Sequence, residues 1–457
     1  MIMITNVDKR IAEALNKGEE YWTFKEDAER DYVHGLFAYP AMMVPKMQRE
    51  ILEAFSSNLP STERLTIFDP FMGSGTILVE GMLRGYNVIG IDINPLAYLV
   101  AKVKTEIYST KRLKRSIDSL LGRISKDTKV QAPTKFENIE KWFKPEISTE
   151  LDIIKQEIRK EDCLKIRRFM WAVFSDTVRT VSNARSCTYK LYMKTEKAID
   201  NYNKSPIQVF SEFIIAAYDG IVSFQNKLEK EGHLSDTKRG KKYKGNIDIR
   251  LANTIDIASQ ICEKYNPDLV ITSPPYGDNE TTVTYGQYSV LELRWMDLND
   301  IKSDIDATII DTQSRIDRIS MGGTIEKNLC AQQKTKIAAK SPTLHNQIEQ
   351  IESADKNKVW KVISFYNDFD DFANTLSKLK SKAYLIMTVG NRTVAKQKIK
   401  MNEIMKELFA YYGFDFSFEF TRRIIRKRMS IINARDAESG TLLESMNKEY
   451  IIILKKR

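Results

Sequence analysis

Apolar residues in this chain gather into seven short runs, at 65–68, 87–91, 247–251, 268–272, 383–389, 414–420 and 450–454. Each run is short, rich in Val, Ile, Leu or Phe, and nearly continuous, the pattern of a strand buried on both faces. Residues 75–84 follow the first run with helical character, and residues 401–412 precede the sixth with good apolar spacing. Strands alternating with helices predict an α/β domain built on a mostly parallel sheet. Between the last two runs lies only a polar stretch, 426–448, so these two are expected to close the sheet as an antiparallel pair.

Two long segments break the alternation. Residues from about 105 to 245 are helical in character, basic, and rich in Lys, Arg, Ser and Asn. Residues from about 279 to 360 are polar and contain the Met321-Gly322-Gly323-Thr324 turn. Both read as insertions into the sheet domain. The expected division is 1–105 and 245–290 as sheet domain, 106–244 as a helical basic insertion and candidate target-recognition region, 291–370 as a second insertion, and 371–457 as the remaining sheet domain.

Composition narrows the function. With 42% hydrophobic and 29% charged residues among 457, the chain falls in the globular range. No stretch approaches 18 consecutive apolar residues, and residues 1–9 lack the features of a signal peptide, so no membrane span is expected and a cytoplasmic location is. The four cysteines are scattered without a Cys-x-x-Cys pair and there are three histidines, so no metal site is expected. The net charge of +10, from 71 Lys and Arg against 61 Asp and Glu, suits a polyanionic partner.

The sharpest chemical signal is Phe68-Asp69-Pro70-Phe71-Met72-Gly73-Ser74-Gly75-Thr76, between a strand and a helix. Two glycines two apart let the backbone turn tightly against a ligand that then faces helix-terminal amides, and the Thr76 hydroxyl is placed to cap that helix. Leu78 stands where a dinucleotide fingerprint has its third glycine, and the Gly-Lys-Ser/Thr ending of a P-loop is missing. Downstream, Val88-Ile89-Gly90-Ile91-Asp92-Ile93-Asn94 ends a strand in a carboxylate able to accept both hydroxyls of a ribose. The two elements predict a nucleoside-containing ligand over the carboxyl ends of parallel strands.

A second signal is Ile271-Thr272-Ser273-Pro274-Pro275-Tyr276-Gly277-Asp278. The two prolines remove two amide donors and leave outward carbonyls. With the Ser273 hydroxyl these can accept hydrogen bonds from an amino group, while the Tyr276 ring can stack on a base. An exocyclic amine is a poor nucleophile because its lone pair is delocalised into the ring. Fixed acceptors draw the nitrogen toward sp³ and aim that lone pair, so direct in-line transfer needs no covalent enzyme intermediate. The base must leave the stack, which implies flipping from a duplex.

Asp-Pro-Phe-x-Gly-Ser-Gly-Thr together with Ser-Pro-Pro-Tyr resembles the amino-type DNA methyltransferases of restriction–modification systems. The resemblance implies a Rossmann-like methyltransferase fold, seven-stranded with an antiparallel closing strand and helical insertions, and S-adenosylmethionine as cofactor. Asp69, Pro70, Phe71, Gly73, Gly75 and Thr76 would then form the methionine side of its site, and Asp92 with Asn94 the ribose side. The segment 34–45, with Tyr39 and Pro40, resembles the family's N-terminal cofactor motif. Asn253, or alternatively Asp256, would contact the adenine amino group. Ser273, Pro274, Pro275 and Tyr276 would be catalytic. Ser-Pro-Pro-Tyr is typical of cytosine-N4 enzymes, with adenine-N6 as the alternative. Cytosine-C5 chemistry needs a thiolate, usually one that follows a proline, and no cysteine here does.

Double-stranded DNA is the expected partner. Arg179, Asn183 and Arg185 are candidates for base edges and phosphates, and Lys238, Arg239, Lys241 and Lys242 for phosphates. Arg422–Arg428 is placed to flank the cleft. No nuclease motif is evident, so a cognate endonuclease would be a separate chain. Rival readings are amino methylation of guanine in RNA, a non-catalytic DNA-binding protein, and a nucleotide-binding oxidoreductase.

Overall fold

The computed structural model describes residues 6–24, 31–59, 64–126, 129–185, 188–238, 240–424 and 447–457, with the strand backbones at 432–435 and 442–444. All seven apolar runs form strands of one sheet: β1 (Thr66–Asp69), β2 (Asn87–Asp92), β3 (Ile247–Leu251), β4 (Leu269–Thr272), β5 (Tyr384–Gly390), β6 (Phe414–Arg423) and β7 (Lys448–Lys456). Their order is β6-β7-β5-β4-β1-β2-β3. β1 to β5 pair in parallel, and β7 enters antiparallel to both β5 and β6. The last strand is thus inserted between its two neighbours rather than added at the edge. This places its first residues, Lys448 and Glu449, at the carboxyl end of the parallel strands.

Alternate strand residues feed two cores. Ile67, Val88, Leu269, Ile271, Ile386, Ile451 and Ile453 face one way, and Phe68, Ile89, Val270, Leu385, Met387, Ile452 and Leu454 the other. The first face packs on α1 (Thr76–Leu83) and α2 (Pro95–Thr105), which continue into α3 (Leu164–Val181) and α4 (Pro206–Lys230). The second packs on α5 (Thr254–Tyr265), α7 (Lys358–Leu376) and α8 (Met401–Tyr411). Because every central strand is buried on both faces, its sequence reads as a continuous apolar run.

Among the described residues, α4 alone would pass for a membrane span by length and apolar composition. Here Phe210, Ile214, Ala217, Ile221, Phe224 and Leu228, spaced three or four apart, bury one face of it in the protein core. Between α2 and β3 the chain is mostly helical and ends in a hairpin, Leu234–Thr237 with Gly240–Tyr243. Between β4 and β5 it forms α6 (Tyr285–Trp295), several further helices and α7.

Candidate active site

The glycine turn sits at the carboxyl end of β1. Gly73 and Gly75 have φ of +48° and +76°. A Cβ on Gly75 would also lie 3.2 Å from the Ala101 Cβ of α2, so the position demands glycine by backbone and by space. Gly75 is itself the cap residue of α1, with Thr76 buried at the first helical position and no side-chain cap. The capping role expected of Thr76 is therefore not observed: the left-handed glycine takes the cap position one residue earlier.

Asp92 locks this turn to β2. One carboxylate oxygen accepts from the Gly73 amide at 2.9 Å and the other from the Asn94 amide at 2.9 Å. Burial pushes its pKa up to about 6. Asp69 is fully buried, accepts from Thr272 Oγ1 at 2.7 Å and the Phe71 amide at 3.0 Å, and is pushed up to about 7 by burial. Its Oδ2 has no partner among the described residues.

A cavity opens above these strand ends. Tyr39, Pro40, Phe71, Gly73, Ser74, Thr76, Asp92, Asn94, Asn253 and Asn279 line it. The Oγ of Ser74 and Oδ1 of Asn279 are buried with no partner among the described residues. Buried polar atoms normally find partners, so these two call for a polar ligand in the cavity. Asn253 caps α5 through the Ile255 amide, 3.1 Å away, and faces the cavity, whereas Asp256 is exposed and does not line it. Asn94 caps α2 and donates to Ser289 Oγ at 2.8 Å, tying β2 to α6. Asn279 was missed from the sequence; its only signal was adjacency to the tetrad.

Beside this cavity lies a larger cleft of 1410 Å³. The two share Tyr39, Met42, Ser273, Pro275 and Tyr285 along their common wall. Tyr39 and Tyr285 stack there with ring centroids 5.8 Å apart. The tetrad follows β4 directly, so its residues project from the same edge as the glycine turn. Gly277, at φ +146°, lets the Arg392 guanidinium lie against the backbone; a Cβ there would be 2.3 Å from its Cζ. Arg392 in turn pairs with Asp278 at 2.9 Å, fixing the loop that leaves the tetrad.

Residues 6–103 match the N6/N4-type DNA methylase family. Type II methyltransferase M.MvaI of Kocuria varians is 32% identical over 98% of this chain and 96% of its own length. This chain belongs to the amino-type DNA methyltransferases of restriction–modification systems. Shorter similarities join it to type II methyltransferase M.MjaII of Methanocaldococcus jannaschii, 36% identical over 23% of the chain and 19% of that protein. A tRNA (guanine(10)-N2)-dimethyltransferase of Pyrococcus abyssi is 37% identical over 19% of the chain and 25% of its own length.

The methyl donor of this methyltransferase is S-adenosylmethionine, and the cavity suits such a nucleoside: a buried carboxylate, two buried polar oxygens without a partner among the described residues, and apolar walls from Met42, Phe71 and Ile255. The residues expected to touch DNA fare differently. Arg179 lines the cleft, but its guanidinium lies over the Tyr288 ring at 3.5 Å and donates to the Tyr288 and Thr188 carbonyls. Asn183 donates to the Lys141 carbonyl and Arg185 to the Met193 carbonyl. Asn183 and Arg185 thus hold the insertion's own loops, and Arg179 ties the insertion to α6. Lys238, Lys241 and Lys242 lie on or beside the hairpin, whose Tyr243 hydroxyl donates to the Met82 and Tyr86 carbonyls near the amino end of β2. Lys241 pairs with Glu229 there. The hairpin is thus at the opposite end of the sheet from the tetrad. Arg239 and 425–428 lie outside the described residues.

Among the described residues no group of three or more His, Cys, Asp or Glu is placed to hold a metal ion.

Proposed function

We propose that this methyltransferase modifies the exocyclic N4 of a cytosine flipped out of double-stranded DNA, with adenine N6 as the alternative. The observation that carries the reading is the common wall of the two cavities. Ser273 and Pro275 stand between the cofactor cavity and the cleft, where a base amine and a methyl donor can meet. S-adenosylmethionine supplies a sulfonium methyl there. Asp92 would accept from its ribose, Asn253 would contact its adenine, and the Asp69–Thr76 turn would hold its methionine end. On the cleft side Ser273 Oγ and the proline carbonyls accept the amine N–H groups, and Tyr276 stacks on the base. The amine nitrogen would take the methyl directly, with the S–C electron pair left on the donor's sulfur and one amine proton released to solvent. Ser273, rather than Asp or Asn, supports cytosine. Incubation with unmethylated DNA, followed by nucleoside mass spectrometry, should yield N4-methyldeoxycytidine. N6-methyldeoxyadenosine would move the target base, and no methylated nucleoside on diverse DNA would sink the reading.

The insertions at 106–244 and 291–370 are proposed to read the target, because both contribute walls to the cleft: Val173, Thr180, Tyr189 and Phe213 from one, Lys358 and Lys361 from the other. Phosphate contact is assigned to Lys358 and Lys361 at the start of α7. Lys358 is 59% exposed and pairs only loosely with Asp355 at 3.3 Å. Replacing Lys358 with alanine should weaken DNA binding about equally on all sequences and lower the log–log salt slope by about 0.9. An unchanged slope, by anisotropy titration at several salt concentrations, would move the DNA path elsewhere. The cytoplasm is the proposed location, and a separate endonuclease the proposed functional counterpart.

A further inference from the structure

The tetrad does not end at Tyr276. Its phenol donates to Glu449 Oε1 at 3.1 Å, and Glu449 Oε2 accepts from Arg422 Nε at 2.6 Å. On the other side Ser273 Oγ lies 3.1 Å from the Tyr276 oxygen and 3.3 Å from the Thr388 carbonyl. Ser273, Tyr276, Thr388, Arg422 and Glu449 all line the cleft.

Topology builds this chain of contacts. Glu449 stands opposite Arg422 on β6 and opposite Gly390 on β5. Only because β7 runs antiparallel does its amino end reach the edge where the tetrad sits. Arg422 and Glu449 are 11% and 13% exposed, so the pair is largely shielded from screening water.

We infer that Glu449, held by Arg422, is a positioning residue that sets the direction of the Tyr276–Ser273 hydroxyl chain and so makes Ser273 Oγ an acceptor for the target amine. A carboxylate cannot donate, so the single phenol hydrogen of Tyr276 is committed to Glu449. Burial, together with the Glu449 charge, pushes the phenol pKa well above its ordinary value, which keeps that hydrogen in place. The Ser273 hydrogen then has two acceptors within the protein, the Tyr276 oxygen and the Thr388 carbonyl. Either choice engages that hydrogen within the protein and leaves Ser273 Oγ lone pairs for the amine N–H. The inference rests on the proposed transfer to an exocyclic amine at Ser273. It adds to it that the acceptor is polarised from the closing strands, not by the tetrad alone.

The test is Glu449→Gln, which keeps shape and reverses direction. Arg422 requires an acceptor, so it turns the amide oxygen toward itself and the amide NH₂ toward Tyr276. The phenol then becomes an acceptor, and its hydrogen rotates onto Ser273 Oγ. Expected is a kcat lower by about 10- to 100-fold, the range of a lost charge-assisted hydrogen bond. S-adenosylmethionine affinity, DNA affinity and melting temperature should stay near wild type. In the double variant Glu449→Gln/Arg422→Met the amide is free to turn its oxygen back to Tyr276, so kcat should recover above that of Glu449→Gln. A merely structural role predicts the reverse, further loss. Wild-type kcat in Glu449→Gln, or no recovery in the double variant, overturns the inference. Nucleoside mass spectrometry on the wild-type product decides the underlying reading separately, since it depends on neither substitution.

Discussion

Tyr276→Ala is expected to lower kcat by roughly 10²- to 10⁴-fold while leaving S-adenosylmethionine affinity within a few fold. Two contributions add. A base stacked on an aromatic ring gains about 1–3 kcal/mol. A hydrogen bond to a charged partner, here Glu449, contributes about 1.5–3 kcal/mol. The ring lies in the cleft and does not line the cofactor cavity, which is why binding of the donor should survive. Single-turnover kinetics beside calorimetric titration of the cofactor would separate the two. Equal loss of both would remove Tyr276 from its assigned place. Tyr276→Phe divides the contributions further, since it keeps the stacking surface and loses only the hydroxyl.

For the cofactor, Asp92→Ala should weaken S-adenosylmethionine binding by about 10²-fold or more. The substitution removes two ribose acceptors and also frees the Gly73 and Asn94 amides, which the carboxylate now satisfies at 2.9 Å each. Two hydrogen bonds to a charged group would alone account for about 3 kcal/mol or more. The same residue predicts a pH dependence. Ribose hydroxyls donate, so they select the ionised carboxylate, and burial has raised the Asp92 pKa to about 6. Cofactor affinity should therefore be steady above about pH 7 and fall as pH drops through 6. The effect of this carboxyl on folding has the opposite sign. Its folded pKa lies above the ordinary value of 3.8, so protonation favours the folded protein and ionisation near pH 6 costs stability. Titrations at pH 5.5, 6.5 and 7.5 would show the trend, and a flat profile would place the ribose elsewhere.

The two predictions fall on residues that the sequence already marks, but most of what explains them does not. Asp92 was legible because a carboxylate ending an apolar run after a glycine turn is a local pattern. Tyr276 was legible because two consecutive prolines punctuate a strand. Asn279, Arg422 and Glu449 carry no such local mark. Glu449 in particular lies 173 residues from Tyr276, in a stretch that reads as polar loop leading into a strand. The basic clusters carry less for a related reason: charge counts say how much counterion a chain can displace, not which surface faces the polyanion. Lys241 and Lys242 lie at the far end of the sheet, and Arg179 is engaged with the Tyr288 ring and with carbonyls.

By itself the sequence determined the seven strands, the two glycines whose positive φ favours glycine, and the residue types at both motifs. Each of these depends on neighbours within a few positions, through the period of two in a strand or the limits of backbone sterics. Tertiary structure alone decided that β7 enters reversed between β5 and β6, that the cofactor cavity and the cleft share a wall at Ser273, and that a glutamate and an arginine from the closing strands stand behind the tetrad. Those outcomes depend on how distant strands pair and on which ends meet, and strand pairing is a property of the assembled sheet rather than of any one segment.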